Sequence, residues 1–259
     1  MRVIVVGNGL AGTIFSKSLR ELHREADIDI FTDESWLYYP RPNLIEFLAG
    51  STTQEHLFAF PPEWYRDQNI NVRVGTKVVR IDPGSQRVEL ERGNQERYDV
   101  LMLATGARAF LPPFTGAQKK GVFTLRTLED AQNILAWIAD RPRTVVIGGG
   151  LLGLEIARAL RTRGAKVRVV EFFDRLLPRQ LDSQGASLLK NQIENLGIEV
   201  RVGVAIEEIM GEKEITGLRF KSGEEWSTDA AIVAAGIRPN IDLAAQAGLE
   251  TEKGIVVND

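Results

Sequence analysis

The chain has 259 residues, 44% hydrophobic and 26% charged, with a formal net charge of -3, no cysteine and two histidines. Such a balance offers no basic surface for nucleic acid or an anionic membrane, and no apolar run approaches the ~20 residues of a membrane span. The lack of cysteine removes disulfides, thiolate nucleophiles, redox dithiols and iron–sulfur ligation. His23 and His56, both in polar surroundings, are too few for a zinc site or a His-based triad, so no metal site is expected.

In chain order, Arg2 to Val6 is an apolar run that predicts a buried strand. It is too short, and too quickly followed by glycine, to be a signal peptide, so a soluble cytoplasmic protein is the expectation. Gly7-Asn8-Gly9-Leu10-Ala11-Gly12 then opens a helical pattern through Leu19 and Leu22. A second strand, Ile28 to Phe31, ends near Thr32, Asp33 and Glu34. This is a β-α-β unit with the G-x-G-x-x-G spacing of a dinucleotide turn, with Asp33 and Glu34 as the acidic candidates for a ribose. Tyr38-Tyr39-Pro40-Arg41-Pro42 fixes the backbone around one arginine; an aimed cation and a rigid surface loop both satisfy that pattern. Short helices are predicted from Leu44 to Leu48, ending at Gly50, and within 61–69.

An internal duplication follows. Ile70 to Gly75 matches Ile198 to Gly203, and Asp99 to Gly106 matches Asp229 to Gly236. Each pair brackets alternating segments with glycine-containing turns, which predicts an antiparallel meander in each copy. Arg108 to Gly116, with Pro112 and Pro113, reads as the join. Thr127 with Asp130 three residues on predicts a capped helix, its face of Ile134, Trp137 and Ile138 directed to a core.

The clearest stretch runs from Thr144 to Glu171. Val145 to Ile147 predicts a strand, and Gly148-x-Gly150-x-x-Gly153 repeats the dinucleotide spacing. Gly148 suits the tight turn, Gly150 lets a pyrophosphate approach the backbone, and Gly153 lets helix pack on strand. Leu154, Ile156, Ala157 and Leu160 give the helix, Gly164 stops it, and Val167 to Val170 leads to Glu171. A carboxylate about 20 residues beyond the turn can accept both hydroxyls of an adenine ribose and repels a 2′-phosphate, favouring NADH over NADPH. The fold expected is α/β: two Rossmann-like dinucleotide folds, each with a parallel sheet and an antiparallel meander. The expected domains are 1–111, 112–239, and a return to the first from 240 to 259.

GNGLAG, YDVLMLATGA, GGGLLGLE with Glu171, and AAGIRPN from Ala234 to Asn240 together resemble the FAD-dependent pyridine nucleotide–disulfide oxidoreductases over nearly the whole chain. YYPRPNL and LRTLEDA are similar to the rubredoxin reductase, ferredoxin reductase and nitrite reductase branch. The resemblance implies FAD in the first fold, on Gly7, Gly9, Leu10, Ala11 and Gly12, with Asp33 and Glu34 facing its adenosine ribose. It implies that Val78 meets the adenine through its backbone, that Ala104, Thr105 and Gly106 pass close to FAD, and that Arg41 and Pro42 lie near the flavin. NADH is implied in the second fold, on Gly148, Gly150, Leu151, Leu152, Gly153, Glu171 and Gly236, with Glu155 between nicotinamide and flavin.

The chain departs from the family pattern in two places. No cysteine follows the first unit, so glutathione-, lipoamide- and coenzyme A disulfide-type chemistry is not expected. The sequence reaches Asp259, in KGIVVND, without the family's Gly-Asp segment and interface domain, so it reads as the N-terminal part of a longer protein, expected to bind NADH appreciably and hold FAD poorly when isolated. The expected activity is hydride transfer from NADH to FAD, then electron delivery to an external acceptor, either a small rubredoxin- or ferredoxin-like carrier protein or a small molecule. NADH oxidase activity and a non-catalytic nucleotide-binding fragment are the alternatives.

Overall fold

A computed structural model describes residues 1–258; Asp259, on which the reading of the chain's end rests, lies outside the described residues. The chain begins β1 (Arg2–Val6), α1 (Leu10–Leu22), β2 (Asp27–Phe31), α2 (Asn43–Ala49), a 3-10 turn at Gln54–His56 and α3 (Pro62–Asp67). Strands β3 (Ile70–Arg73), β4 (Val78–Asp82), β5 (Arg87–Leu90), β6 (Gln95–Arg97), β7 (Val100–Leu103), β8 (Ala107–Ala109) and β9 (Val122–Phe123) follow. Next come α4 (Leu128–Ile138), β10 (Arg143–Ile147), α5 (Leu151–Thr162), β11 (Lys166–Val170), α6 (Ser183–Asn195), β12 (Glu199–Arg201), β13 (Ile206–Met210), β14 (Gly217–Phe220), β15 (Glu225–Ser227), β16 (Ala230–Val233), β17 (Ile237–Pro239) and α7 (Asp242–Gln246).

Two compact units result. One comprises 1–40, 55–108 and 238–259; the other comprises 41–54 and 109–237. This differs from the division at 111 and 239 in one substantial respect: residues 41–54 pack with the second unit. The physical reason is a set of long-range hydrogen bonds within that unit. Arg163 donates from Nε to the Leu48 carbonyl (2.9 Å) and from Nη2 to that of Phe47 (3.0 Å), at the C-terminal end of α2. Gln132 Nε2 on α4 donates to Gln54 Oε1 (2.7 Å), and Arg41 Nη1 to the Arg126 carbonyl (3.1 Å).

In the first unit β3-β2-β1-β7 form a four-stranded parallel sheet, and β4-β5-β6 form the antiparallel meander. The run Val3 to Val6 is apolar throughout because both faces are covered. Val3 and Val5 pack with Ile28, Ile30, Tyr65 and the partly buried Phe15 and Leu19, while Ile4 and Val6 pack with Phe31, Val78, Ile81, Val88 and Tyr98 of the meander side. In the second unit β12-β11-β10-β16-β9 form a five-stranded parallel sheet and β13-β14-β15 its meander. Val145, Ile147, Val170, Ala231 and Val233 meet Ile209, Leu218, Phe220 and Trp226 there. The connecting strands β8 and β17 pair with each other. No helix among the described residues is long and apolar enough to cross a membrane.

A polar network ties the meander of the first unit to its sheet. Arg2 Nη2 contacts Asp29 Oδ2 (3.0 Å) and Glu96 Oε2 (2.7 Å), Arg73 Nη1 contacts Glu96 Oε1 (2.7 Å), and Asn71 Nδ2 donates to Asp29 Oδ1 (2.6 Å). Partial burial pushes the Glu96 carboxyl up, but hydrogen bonds and charge from Arg2 and Arg73 outweigh it and hold the group below the usual carboxylate range. A depressed carboxylate stabilises the fold above its unfolded pKa of about 4.3 and ceases to do so as pH falls through the folded value. Glu96→Gln is therefore expected to flatten the loss of stability between about pH 5 and pH 3, measured as urea midpoints over that range. An unchanged acid limb would mean that the network carries no linkage.

Candidate functional site

Each parallel sheet presents a glycine turn where its first strand hands over to a helix, and two of the three glycines of each turn are forced by different neighbours. A Cβ on Gly148 would lie 2.5 Å from the Ala234 carbonyl oxygen, and φ there is +120°. A Cβ on Gly153 would lie 2.0 Å from the Gly148 oxygen. In the first unit the same approaches are 2.2 Å, from Gly7 to the Ala104 oxygen, and 2.0 Å, from Gly12 to the Gly7 oxygen. These four glycines are required by the protein's own backbone. Gly9 and Gly150 are not: a Cβ on either would meet nothing within 4 Å. The missing side chain there leaves open space over the turn, where a ligand could approach the backbone.

The helix ends point the same way. Of the four helices longer than ten residues among the described residues, α4 and α6 are capped by their own side chains, Thr127 accepting from the Asp130 amide and Asp182 from the Gly185 amide. The N-terminal ends of α1 and α5 receive no side-chain cap, their N-cap residues being Gly9 and Gly150, and neither has an acidic residue in its first turn. Both ends thus offer backbone N–H groups and the positive pole of the helix dipole to an anion. Leu10, Ala11, Leu151 and Leu152, on these first turns, are exposed.

At the far side of the second turn, Glu171 is buried and both its oxygens are engaged. Oε2 accepts the Gly149 amide (2.6 Å) and Oε1 accepts that of Phe173 (2.8 Å). Phe172 and Phe173 are exposed beside it. The equivalent position in the first unit is Thr32: its amide bonds to the Arg73 carbonyl as that of Glu171 bonds to Arg201. Its hydroxyl accepts the Glu34 amide (3.3 Å). The acids there follow one and two residues later, Asp33 exposed and Glu34 partly buried with Tyr39 donating to its carboxylate.

The remaining expected residues fall as follows. Val78 begins β4 with its side chain in the core, and the nearby Gly75 and Thr76 amides bond to the Glu34 and Thr32 carbonyls. Ala104 reaches the first turn through its carbonyl, and Thr105 and Gly106 are bracketed by Asn240, whose carbonyl accepts the Thr105 hydroxyl (2.6 Å) and whose Nδ2 donates to the Thr105 carbonyl (2.9 Å). Gly236, with φ of +106°, accepts the Phe110 amide. Glu155 is exposed on the second turn of α5. Arg41 and Pro42 belong to the second unit, at the start of α2. His23 and His56 are both exposed. Sequence reasoning missed Ala234 as the wall of the second turn and Gly149 as the partner of Glu171. The contrast of GNG with Thr32 against GGG with Glu171 was the available signal: a Cβ at Gly149 would meet Leu176 at 2.5 Å and Glu171 at 3.1 Å.

Two parallel sheets, each with a glycine turn and an uncapped helix, and with acids at or just beyond the second strand, define a protein of two Rossmann-like folds. The chain belongs to the pyridine nucleotide-disulphide oxidoreductase family, whose model matches residues 1–259. The NAD(P)H nitrite reductase of Bacillus subtilis (strain 168) is 36% identical over 259 residues, covering 100% of this chain and 32% of that protein. The rubredoxin-NAD(+) reductase of Ectopseudomonas oleovorans is 34% identical over 261 residues, covering 100% of this chain and 68% of that protein. Putidaredoxin reductase, in its covalent complex with putidaredoxin, superposes with a TM-score of 0.92 at 33% identity, covering 100% of this chain and 64% of that one. The chain spans about a third of the length of the first of these relatives.

The glycine geometry sets an order of stabilities. Gly153→Ala and Gly12→Ala are expected to cost about 1–3 kcal/mol each, since a backbone oxygen must give way, while Gly150→Ala is expected to stay within about 0.5 kcal/mol. Urea unfolding of the three variants checks this; equal losses would mean that the middle glycine is also held by the protein.

Proposed function

We propose that the chain acts as an NADH-dependent flavoprotein oxidoreductase, with FAD held by the first unit and NADH by the second. The observation that carries this reading is the pair of middle glycines, Gly9 and Gly150, whose missing side chains no protein neighbour explains and which sit at uncapped helix ends. A pyrophosphate at each turn accounts for both. Membership of the family supports the assignment, as do relatives whose names specify NAD(P)H and NAD(+).

In this reading Gly7, Gly9, Leu10, Ala11 and Gly12 cradle the FAD diphosphate. Asp33 and Glu34 take its adenosine ribose, the Val78 backbone its adenine, and Ala104, Thr105 and Gly106 run beside it. Gly148, Gly150, Leu151, Leu152 and Gly153 cradle NADH, Glu171 takes its ribose, and Gly236 borders the same site. Arg41, Pro42 and Glu155 contribute charge and shape near the reacting rings. Bound FAD would supply hydride acceptance from NADH and release of electrons one at a time. The chain's own residues bind, orient and exclude water, and none of them is a thiol that could relay the electrons. A small rubredoxin- or ferredoxin-like carrier protein is the acceptor this favours, and the likeness to putidaredoxin reductase and rubredoxin reductase supports it.

Three measurements test the proposal. Titration followed by tryptophan fluorescence is expected to give a preference of about tenfold or more for NADH over NADPH, because a 2′-phosphate would face Glu171 as a like charge. Equal dissociation constants would contradict the assignment. Gly150→Val is expected to abolish NADH binding with the far-UV circular dichroism retained, since its methyl groups occupy the open space over the turn. Unchanged affinity would place the nucleotide elsewhere. Oxygen consumption by flavin-loaded protein with NADH and no carrier would favour an oxidase instead.

A further inference from the structure

The two turns carry an internal control. In the first unit the middle of the turn is Asn8, whose Oδ1 accepts the Thr13 hydroxyl (3.1 Å), so the turn is tied forward to its own helix. The strand end, Thr32, holds only the amide two residues on, that of Glu34 (3.3 Å). In the second unit the strand end is Glu171, which makes the corresponding bond to the Phe173 amide (2.8 Å). It also reaches across to the turn, where Oε2 accepts the Gly149 amide (2.6 Å). The longer side chain bridges from β11 to the glycine turn; a threonine makes only the local bond. Room for the bridge comes from Gly149, where a Cβ would meet Leu176 at 2.5 Å and Glu171 Oε2 at 3.2 Å. The Gly149 carbonyl is fixed as well, accepting the Leu177 amide (3.1 Å).

We infer that Glu171 is a positioning residue for the phosphate turn of the second unit, holding Gly149 in place before any nucleotide arrives, in addition to the ribose contact proposed above. The inference rests on NADH occupying this turn, but the clamp exists without it. A buried amide bonded to a carboxylate is a charge-assisted bond, stronger than a neutral one. With Gly149 held from both its N–H and its carbonyl, the neighbouring Gly150, Leu151 and Leu152 amides are fixed toward the open space over the turn. A ligand that finds these donors already aimed loses less conformational freedom on binding. The clamp therefore acts on the phosphate half of the ligand, which a ribose contact alone does not.

Three proteins test this: the native chain, E171T and E171Q. E171T copies the first unit, keeping an acceptor for the Phe173 amide and losing the bridge to Gly149. E171Q keeps one carbonyl oxygen that can accept the Gly149 amide across the turn, removes the charge, and turns its NH2 toward the Phe173 amide in place of the second oxygen. Amide hydrogen exchange without nucleotide is expected to be about tenfold faster or more at Gly149 in E171T, and close to native in E171Q. Binding of reduced nicotinamide mononucleotide, which has a phosphate but no adenosine, is expected to weaken several-fold in E171T and to recover in E171Q. The NADH-over-NADPH preference falls in both variants. Native exchange at Gly149 and native mononucleotide affinity in E171T, with only the NADH preference lost, would overturn the clamp and leave Glu171 as a ribose ligand. Failure of the native chain to bind NADH would overturn the nucleotide assignment instead, while the exchange comparison would still decide the clamp.

Discussion

The approach of backbone to backbone at the glycine turns governs the layout of each unit. Where β10 ends, Gly148 lies against the Ala234 carbonyl of the neighbouring strand path, and α5 starts so close that Gly153 lies against the Gly148 carbonyl. No side chain fits in either gap, so helix and strand are locked at one offset. That offset directs the N-terminal end of α5, with about half a unit of positive charge, over the C-terminal edge of the sheet. The apolar faces of Ile156, Ala157 and Leu160 then bury without further choice. The same argument holds for Gly7, Gly12 and Ala104 in the first unit, and the uncapped helix ends follow from the packing.

The copies diverge where electrostatics matters. The second unit places a buried carboxylate at the strand end, compensated by two backbone amides instead of a cation. The first unit places an uncharged hydroxyl there and moves its acids outward, to exposed Asp33 and to Glu34 under Tyr39. A buried charge with only dipoles around it is costly unless each lone pair finds a donor. The glycine at 149 and the carboxylate at 171 therefore belong together: one makes room and supplies an N–H, the other fills the room and accepts it. Asn8 and Thr32 are the corresponding pair in the first unit.

Much of this was legible because it is written in local spacing. The β-α-β units, the Thr127 capping box and the acid after β11 depend on residues close in sequence, and the duplicated strands on a repeat visible in the sequence itself. The packing of 41–54 with the second unit was not legible. Nothing in the Tyr38 to Gly50 stretch signals that its hydrogen-bond donor is Arg163, more than a hundred residues away and similar in sequence context to its neighbour Arg161. The Gly149 to Glu171 bond was hidden for a different reason: both residues already had sufficient explanations, one as a turn glycine and the other as a ribose acceptor. Only coordinates reveal that they meet.

Arg163 shows how much one side chain can organise. It is the C-cap residue of α5, so its side chain starts from the end of that helix. Its guanidinium then satisfies the Phe47 and Leu48 carbonyls at the end of α2, where the helix stops at Gly50 in the left-handed conformation. Gly50 is required twice over, by φ of +80° and because a Cβ would lie 3.0 Å from the guanidinium carbon. One side chain thus links the end of α5 to the end of α2. It ties α2, which begins next to Arg41 and Pro42, to the helix whose other end carries the second glycine turn. Within the second unit, the buried face of α2 packs along α5, and the two guanidinium-to-carbonyl hydrogen bonds of Arg163 close one end of that contact.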